Sequence, residues 1–433
     1  MLAVSAVLPF RTNAYVIEEL IDWDNIPDDP IYQLTFPQNG MLADKDFAWM
    51  VDLISRGVPN SELNEAANDI RIRMNPHPAG QIEHNVPHYG GEPVSGMQHK
   101  YWDTALFFPS QGQTCHAFCT YCFRWAQFVG MEDLKFSSHE ANRLHAYLKK
   151  HKEVHELLFT GGDPMVMKTE VLRRYIEPLL GPDYDHIRHI RIGTKALAWW
   201  PHRFIDGDDA DDFQRLLEEI RAAGKLPAIV AHYSHPVEMS TSASREAIRR
   251  IQDAGGTIRT QAPLIRHVND SSSVWAEMWT TQTSLGCIPY YVFVERDTGA
   301  KNYFEVPLAR VLRIFHKAYR SVSGHCRTVR GPIMSALPGK IHIDGVAEIN
   351  NEKVFVLRML RGRKPEWERK PFFARYDDKA TWLSDLRPAF GKSKFFYEDE
   401  LHSMLSDEFR KTISMDKKRV GEEQVGRPSG FEN

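Results

Sequence analysis

Three cysteines lie close together in the short stretch Thr114–Arg124, at the spacing Cys-x3-Cys-x2-Cys: Cys115, Cys119 and Cys122. Each thiolate can bind one iron, so the three together can hold three irons of a four-iron, four-sulfur cluster. The fourth iron is then open to a small molecule. This stretch constrains the fold more than any other, because the chain must hold three thiols around one inorganic group.

A structural zinc site is the main alternative, but such sites usually have four protein ligands. The other two cysteines, Cys287 and Cys326, lie far along the chain. His116 lies between two clustered cysteines, where its ring is poorly placed to complete a tetrahedron. Zinc and a chance grouping stay open as alternatives, and the spacing predicts that Cys287 and Cys326 are not cluster ligands.

Composition limits the class of protein. The chain has 433 residues, of which 42% are hydrophobic, enough for one large or two ordinary domains. The net charge of −3 gives no reason to expect a nucleic-acid partner. Apolar runs such as Tyr290–Val294 are too short to span a membrane, so no membrane partner is expected. Five cysteines, three of them clustered, do not make a disulfide framework, which favours the reducing cytoplasm.

Between Ala105 and Tyr319, apolar segments alternate with amphipathic ones. Strands are predicted at Ala105–Pro109, Glu156–Thr160, Ile187–Gly193, Ala228–His232, Thr257–Ala262 and Ile288–Val294. The helices that follow them are predicted at Ser138–Lys150, Thr169–Leu180, Asp211–Ala223, Ser240–Ala254, Ser271–Leu285 and Pro307–Tyr319. Such alternation predicts an α/β fold with a parallel sheet. Six βα units make a partial (β/α)6 barrel, with its chemistry at the carboxyl ends of the strands.

The two flanking regions differ from this pattern. Residues 1–100 are predicted as an N-terminal helical and irregular region, with helices at Asp44–Ser55 and Glu62–Met74. Its histidines His77, His84 and His88 have no regular ligand spacing, which favours surface or turn positions over a metal site.

The barrel is predicted at 101–325, and 326–433 is predicted as a C-terminal extension. That extension contains an antiparallel hairpin, Lys340–Ile349 with Lys353–Met359, and an aromatic, basic segment, Pro371–Tyr397, expected to pack on or beside the barrel. Lys417–Asn433 is polar and is predicted to be frayed.

Three separate motifs resemble one known family. They are Cys-x-Tyr-Cys-Phe-Arg at Cys119–Arg124, Phe-Thr-Gly-Gly-Asp-Pro at Phe159–Pro164, and Gln-Ala-Pro-Leu-Ile-Arg-His-Val-Asn-Asp at Gln261–Asp270. They resemble the lysine 2,3-aminomutase family of radical S-adenosylmethionine (SAM) enzymes, which also use pyridoxal 5′-phosphate (PLP). The resemblance runs from about Pro9 to about Lys340. It implies a barrel of the radical SAM type, a [4Fe-4S] cluster, SAM on the open iron, and PLP.

The resemblance also implies a SAM pocket at the strand ends. Its residues are Gly161, Gly162, Asp163, Thr194, His232 and Gln261. Two glycines let the backbone approach a ligand closely, and a carboxylate can accept a hydrogen bond from an ammonium. The alternative for Asp163 is a plain turn with a helix N-cap. For a histidine or glutamine at a strand end, the alternative is an internally satisfied polar group.

PLP requires a lysine for covalent attachment and cationic or hydroxyl groups around its phosphate. By resemblance, Lys340 in Leu337–Lys340 is the PLP lysine, in a turn with fewer glycines than the family has. Lys100 and Tyr101 resemble the family's phosphate-binding segment. Thr104 stands where an arginine is common, so either the phosphate site is weaker or another cation compensates.

Two arginines are predicted to bind the substrate. By resemblance, Arg124 pairs with the substrate α-carboxylate, a task that suits a bidentate guanidinium. Lysine-specific members hold the substrate's distal ammonium with two aspartates. Here Arg296 stands in the register of the first, and Met334–Ala336 offers no acid for the second. An amino acid with an acidic or neutral polar end is therefore expected to fit better than lysine, unless Asp297 is shifted into place.

The function that the resemblance implies is an amino acid 2,3-aminomutase, an isomerase that converts an α-amino acid to a β-amino acid. A radical SAM enzyme of another reaction type and a non-catalytic iron–sulfur protein stay open as alternatives. The expected partners are a small amino acid substrate and an electron donor such as flavodoxin or ferredoxin, and the chain is expected to form a homo-oligomer.

Overall fold

The computed structural model describes residues 1–75, 85–129, 137–138 and 140–406. Two of the histidines considered above, His77 and His84, and the polar tail Lys417–Asn433 lie outside these ranges. The strands, in chain order, are β1 His88–Tyr89, β2 Glu92–Pro93, β3 Met97–Tyr101, β4 Thr104–Phe107, β5 Glu156–Phe159, β6 His189–Thr194, β7 Leu226–His232, β8 Thr257–Leu264, β9 Ile288–Val294, β10 Arg330–Ala336, β11 Gly339–Ile349, β12 Glu352–Gly362 and β13 Pro371–Arg375.

Eleven strands, β3 to β13, form one sheet in which each strand pairs with its neighbours in the chain. The pairs from β4 to β10 are parallel. Antiparallel strands flank this parallel part: β3 at one edge, and β11, β12 and β13 at the other. The six predicted strands correspond to β4 to β9, and the predicted fold class, α/β with a partial barrel, is confirmed.

The sheet curls, because residues of distant strands touch. In the strand order, β3 and β10 lie seven steps apart. In a flat sheet, seven steps of about 4.8 Å would separate them by about 34 Å. Instead, the Lys100 ammonium at the end of β3 donates to the Ala336 carbonyl at the end of β10, over 2.6 Å. Side chains thus close a seam between two strands that are not hydrogen-bonded to each other.

Helices pack against the curled sheet. In the described ranges, the α-helices are α1 Leu2–Ser5, α2 Pro30–Thr35, α3 Asp44–Ser55, α4 Asn60–Met74, α5 Ala141–Lys150, α6 Thr169–Ile176, α7 Ala196–Trp199, α8 Ala210–Ala222, α9 Ser242–Asp253, α10 Ser272–Ser284, α11 Lys301–Phe304 and α12 Leu308–Ser321. Helix α12 shows why they pack there. Its residues at helical spacing are fully or nearly buried: Leu308, Val311, Leu312, Phe315 and Ala318. None of the helices in the described ranges has the length and apolarity needed to cross a membrane.

The C-terminal extension is part of the same sheet. The predicted hairpin is β11 with β12, and it is confirmed as antiparallel. The aromatic, basic segment begins with β13, which pairs with β12, so it extends the sheet rather than only packing beside it. Strand β10 was not predicted, and it adds a seventh parallel strand. The sheet crosses both predicted domain boundaries, and the division into 1–100, 101–325 and 326–433 stays a prediction.

Candidate active site at the carboxyl ends of the strands

The cysteine loop follows β4 and is held in place by the N-terminal region. Phe118 donates its backbone N–H to the Arg11 carbonyl over 2.9 Å, and Thr120 donates to the Leu34 carbonyl over 2.9 Å. The Arg11 guanidinium donates to the Cys115 carbonyl, also over 2.9 Å. Because these bonds join residues about 85 to 105 positions apart, the N-terminal region acts as a clamp on the loop.

The three thiols of this loop are chemically suited to iron. Burial raises the pKa of Cys115 and Cys119, and it raises the pKa of Cys122 to about 11. Metals bind the thiolate, so a cationic centre is needed to keep these groups ionised. In the described part of the chain, no three histidine, cysteine or acidic side chains are arranged to share a single metal ion. This disfavours zinc but not a cluster, in which each thiolate binds a different iron.

The other two cysteines lie elsewhere. Cys287 is buried immediately before β9, at the amino end of that strand, whereas the cysteine loop follows the carboxyl end of β4. Cys326 is buried beside Ser323, whose hydroxyl lies 3.3 Å from its sulfur. The structure therefore brings neither of them to the cysteine loop.

The glycines after β5 pack directly against the cysteine loop. A Cβ on Gly161 would lie 2.1 Å from the Gln113 side-chain nitrogen, and φ at Gly161 is +148°. A Cβ on Gly162 would lie 2.3 Å from the Thr114 carbonyl oxygen. Real Cβ atoms do not come so close, so both positions require glycine. The Gly-Gly turn thus fixes the distance between β5 and the cysteine loop.

Asp163 and Thr194 are brought together, and their bonds are internal. The Thr194 hydroxyl donates to both Asp163 oxygens, over 2.6 and 2.8 Å. The backbone N–H groups of Met165 and Lys195 donate to the same carboxylate over 2.9 Å each. Asp163 therefore acts as the N-cap of the turn that follows it, which was the alternative to a role in SAM binding. A ligand at Asp163 would have to compete with these bonds.

His232 ends β7, and it pairs in the sheet register with Gln261, which lies within β8, three residues before that strand ends. The Gln261 Nε2 and His232 Nε2 atoms lie 2.7 Å apart. The glutamine amide donates this hydrogen bond if the histidine Nε2 carries no proton. If Nε2 carries the proton, the amide is turned by 180° so that its oxygen accepts. Burial, together with the positive charge of Lys195, lowers the pKa of His232 to about 3. His232 is therefore a neutral imidazole at physiological pH.

His116 was not predicted as a site residue, and the structure gives it a special environment. Its ring is buried, yet neither ring nitrogen has a hydrogen-bond partner in the described part of the chain. The ring packs on Trp200, and its Nδ1 lies 3.9 Å from an Asp163 oxygen. Buried polar atoms are nearly always paired, so these two nitrogens are free to bond a ligand beside the cysteine loop. A histidine in an irregular loop gave no signal in the sequence.

A second group of residues lies at the seam of the sheet, around the Tyr101 ring. The Lys340 nitrogen lies 4.9 Å from the ring centroid, the Lys100 nitrogen 5.6 Å and the Arg361 guanidinium carbon 5.2 Å. We call Lys100, Lys340, Arg361 and Arg296 the cation group. Burial, with the positive charges of Arg363, Arg296 and Lys340, lowers the pKa of Lys100 well below its usual range.

Lys340 begins β11 and has the properties of a reactive amine. Burial and the charges of Arg191, Arg361 and Arg330 lower its pKa to about 7, against a smaller opposing effect of Glu156. It forms no hydrogen bond or ion pair with the residues that the structure describes. Its amine is thus partly neutral at physiological pH, which is the form that attacks a carbonyl.

Arg361 supplies a cation that the sequence analysis missed. It comes from β12 and pairs with Asp103, next to Thr104, the position where the family commonly has an arginine. The Thr104 hydroxyl itself donates to Asp103 over 2.8 Å. The Arg361 guanidinium, from the C-terminal extension, therefore lies beside Thr104, where the expected arginine is missing from the sequence.

Arg124 and Arg296 lie on the same aromatic ring. Their guanidinium carbons are 5.2 and 5.0 Å from the centroid of Phe123. Burial lowers the pKa of Arg124 to about 10, and it also lowers the pKa of Arg296. Within the described ranges neither has a hydrogen-bonded carboxylate, and the buried Nε of Arg296 has no partner. Burial raises the pKa of the neighbouring Glu295 well above its usual range, against a lowering effect of Arg296.

These residues fit the implied groups. The cation group and Arg124 offer more positive than negative charge, which suits a phosphate and a carboxylate. The thiols, the Gly-Gly turn and the unpaired His116 nitrogens suit a cluster with a small ligand beside it.

Comparison with known proteins gives relatives that are named aminomutases. No family model matches the chain. A protein of Aquifex aeolicus, provisionally named an L-lysine 2,3-aminomutase, is 29% identical over 386 residues, which are 88% of each chain. The L-lysine 2,3-aminomutase of Acetoanaerobium sticklandii is 24% identical over 64% of this chain and 63% of its own length. The glutamate 2,3-aminomutase of Clostridioides difficile is 25% identical over 48% of this chain and 47% of its own length. Over most of its length, the chain is therefore similar to a protein that is named a 2,3-aminomutase, and 2,3-aminomutases are isomerases.

Proposed function

We propose that the protein is a SAM- and PLP-dependent amino acid 2,3-aminomutase that moves the amino group of an α-amino acid to its β-carbon. The observation that carries the proposal is Lys340. It is a lysine with a pKa of about 7, surrounded by cations, in the same barrel as the cysteine loop.

The chain's own residues have distinct tasks in this proposal. Cys115, Cys119 and Cys122 hold the cluster, and the strand-end residues Gly161, Gly162, Asp163, Thr194, His232 and Gln261 line the SAM side. Bound there, the cluster and SAM supply a radical that removes a hydrogen atom from the substrate β-carbon. A one-electron donor such as flavodoxin or ferredoxin must reduce the cluster first.

On the PLP side, Lys340 is the attachment point, and Lys100 and Tyr101 receive the phosphate. When bound, PLP holds the migrating amino group and delocalises the unpaired electron. Arg361 supplements the phosphate site in place of the missing arginine at Thr104. The closed seam and the clamp on the cysteine loop keep water away from the radical.

The substrate proposal rests on Arg124 and Arg296. Arg124 holds the α-carboxylate, and Arg296 faces the far end of the substrate. A lysine side chain would bring an ammonium toward Arg296, and a buried charge without its partner costs about 3–5 kcal/mol. A carboxylate would instead form a charge-assisted hydrogen bond of about 1.5–3 kcal/mol. A glutamate-like or neutral polar amino acid is therefore preferred.

The test of the reaction is an anaerobic incubation of the iron-reconstituted protein with SAM, PLP, a reductant and a mixture of amino acids. β-Amino acids are detected by mass spectrometry, and SAM is measured at the end. We expect a β-amino acid with little net loss of SAM. One SAM consumed per product would indicate another radical SAM reaction, and no 5′-deoxyadenosine at all would indicate a non-catalytic iron–sulfur protein.

The test of the substrate is a comparison of kcat/KM for lysine, glutamate, glutamine and alanine, before and after Arg296→Asp. We expect this change to shift the preference toward lysine by tenfold or more, about 1.4 kcal/mol in transition-state binding. Arg313→Asp, on the exposed face of α12, is the matched control and should leave the preference unchanged. A tenfold preference for lysine in the unchanged protein would contradict the substrate proposal.

A further inference from the structure

A buried ion pair lies beside the cysteine loop, and the proposed reaction does not use it. The Lys195 ammonium donates to Glu238 over 2.6 Å, and the Glu238 side chain is fully buried. The Trp199 indole donates to the same carboxylate oxygen over 2.7 Å. The Ser234 backbone N–H donates to the other oxygen. Every bond fixes the carboxylate, and through it the position of the ammonium.

A chain of polar groups connects this pair to the cysteine loop. The Lys195 ammonium lies 3.3 Å from the Ser234 hydroxyl, and that hydroxyl lies 3.1 Å from the Tyr121 hydroxyl. Tyr121 itself lies in the cysteine loop, between Cys119 and Cys122. All four groups are buried or nearly so. A buried ion pair adds little net stability over a well-packed apolar pair, so its presence here points to another role.

We propose that the Lys195–Glu238 pair sets the reduction potential of the iron–sulfur cluster, with Glu238 holding the Lys195 ammonium on the side of Cys119. The proposal rests on the proposed function only in requiring that Cys115, Cys119 and Cys122 bind a cluster. Lys195 and Glu238 are positioning residues and not catalytic ones, because neither touches substrate or the reacting atoms.

The sign of the effect follows from electrostatics. Reduction adds an electron to the cluster, and a nearby positive charge stabilises the reduced form and raises the potential. The pair is an oriented dipole. Of its two charges, the Lys195 ammonium is the one that contacts the Ser234 hydroxyl, and through it the Tyr121 hydroxyl of the cysteine loop. The net field of the pair at the cluster is therefore that of a positive charge.

The experiment is a redox titration of the reconstituted protein without SAM, PLP or amino acid, followed by the electron paramagnetic resonance signal of the reduced cluster. Lys195→Met should shift the midpoint potential to a more negative value. The double variant Lys195→Met, Glu238→Gln should also have a more negative midpoint potential. Its shift should be no larger than that of Lys195→Met alone. This double variant avoids an unpaired buried carboxylate if the single variant is too unstable to fold. Lys195→Arg should bring the potential back toward that of the unchanged protein.

Lys225→Met is the matched control. Lys225 is also a buried lysine, and it donates to the Tyr184 and Ile187 carbonyls over 2.8 Å each. It lies immediately before β7, at the opposite end of the barrel from the cysteine loop. Its loss should lower the melting temperature without moving the potential.

Two outcomes overturn the inference. An unchanged or more positive potential in both the Lys195→Met and double variants would reject it. A shift of the same size in Lys225→Met would show a general effect of removing a buried lysine. The proposed function fails separately, if the cluster assembles but no β-amino acid forms. A protein that assembles no cluster would overturn both.

Discussion

The two halves of the candidate site treat their charges in opposite ways, and two lysines show the difference. On the cluster side, Lys195 is paired with Glu238, and Asp163 is saturated by internal bonds. At the seam, Lys340 has no acidic partner within bonding distance in the described ranges, and its pKa falls to about 7. Within the described ranges, Lys195 and Asp163 on the cluster side are thus bonded inside the protein, whereas the Lys340 amine at the seam is not.

This difference indicates which groups each half is built to receive. A thiolate cluster with SAM brings its own charges, so a pre-paired environment tunes it without competing for the ligand. A phosphate and a carboxylate bring negative charge, and unpaired cations such as Lys100 and Arg296 would be costly to bury without them. Changes on the cluster side should therefore abolish all chemistry, whereas changes at the seam should abolish only part of it.

The largest effect is expected from the cluster ligands. Cys119→Ala should prevent assembly of the cluster and thereby abolish both SAM cleavage and isomerisation, because an iron loses its protein ligand. Iron content and 5′-deoxyadenosine formation are the measurements. Cys287→Ala is the control, because Cys287 is buried at the amino end of β9, and it should keep both. Loss of the cluster in Cys287→Ala would show that the ligand assignment is wrong.

The next effect should separate the two halves. Lys340→Ala should abolish isomerisation while leaving the cluster and the reductive cleavage of SAM intact, because Lys340 lies at the seam. Borohydride reduction of the unchanged protein with PLP should fix the cofactor on the peptide that contains Lys340. Labelling of Lys195 would show that PLP attaches to the lysine paired with Glu238 and not to Lys340. The Lys340→Ala protein serves as the unlabelled control.

The fold was predictable where sequence pattern and local structure agree. Strands such as β7 and β9 are continuous apolar runs, as expected for parallel strands covered on both faces. Strand β10 was missed because it begins with Arg330, Gly331 and Pro332, residues that are typical of turns. Strand β3 was missed because its polar residues, Gln98, His99 and Lys100, resemble a linker.

The candidate site was predictable only where a motif is continuous in the chain. The cysteine loop and the Gly-Gly-Asp turn are local, and the sequence identified both. Arg361 reaches Asp103 across 258 residues, and no local pattern indicates that contact. The same applies to Glu238, which meets Lys195 across 43 residues. Such partners depend on how the sheet curls, and single-sequence patterns do not give that curl.

A smaller, graded effect is expected from pH. Capture of PLP by the protein requires the neutral Lys340 amine, and with a pKa of about 7 the neutral fraction falls from roughly nine-tenths at pH 8 to roughly one-tenth at pH 6. The initial rate of capture, followed by absorbance, should therefore fall about tenfold between these values. An ordinary lysine would instead gain rate up to about pH 10. A rate that still climbs steeply above pH 8 would show that Lys340 is not the amine described here.

The smallest effect is expected at Gly162, where the turn after β5 packs against the cysteine loop. Gly162→Ala would place a methyl group 2.3 Å from the Thr114 carbonyl oxygen, so either the cysteine loop or the turn after β5 must shift. Overpacking of this kind costs about 1–3 kcal/mol. We expect a lower free energy of unfolding and weaker iron retention, with the seam unaffected. Gly345→Ala is the matched control. No atom lies within 4 Å of its added Cβ, and it should leave iron retention unchanged. Equal iron retention in the two variants would show that the Gly-Gly turn does not support the cluster, and the two halves of the site would then differ only in charge.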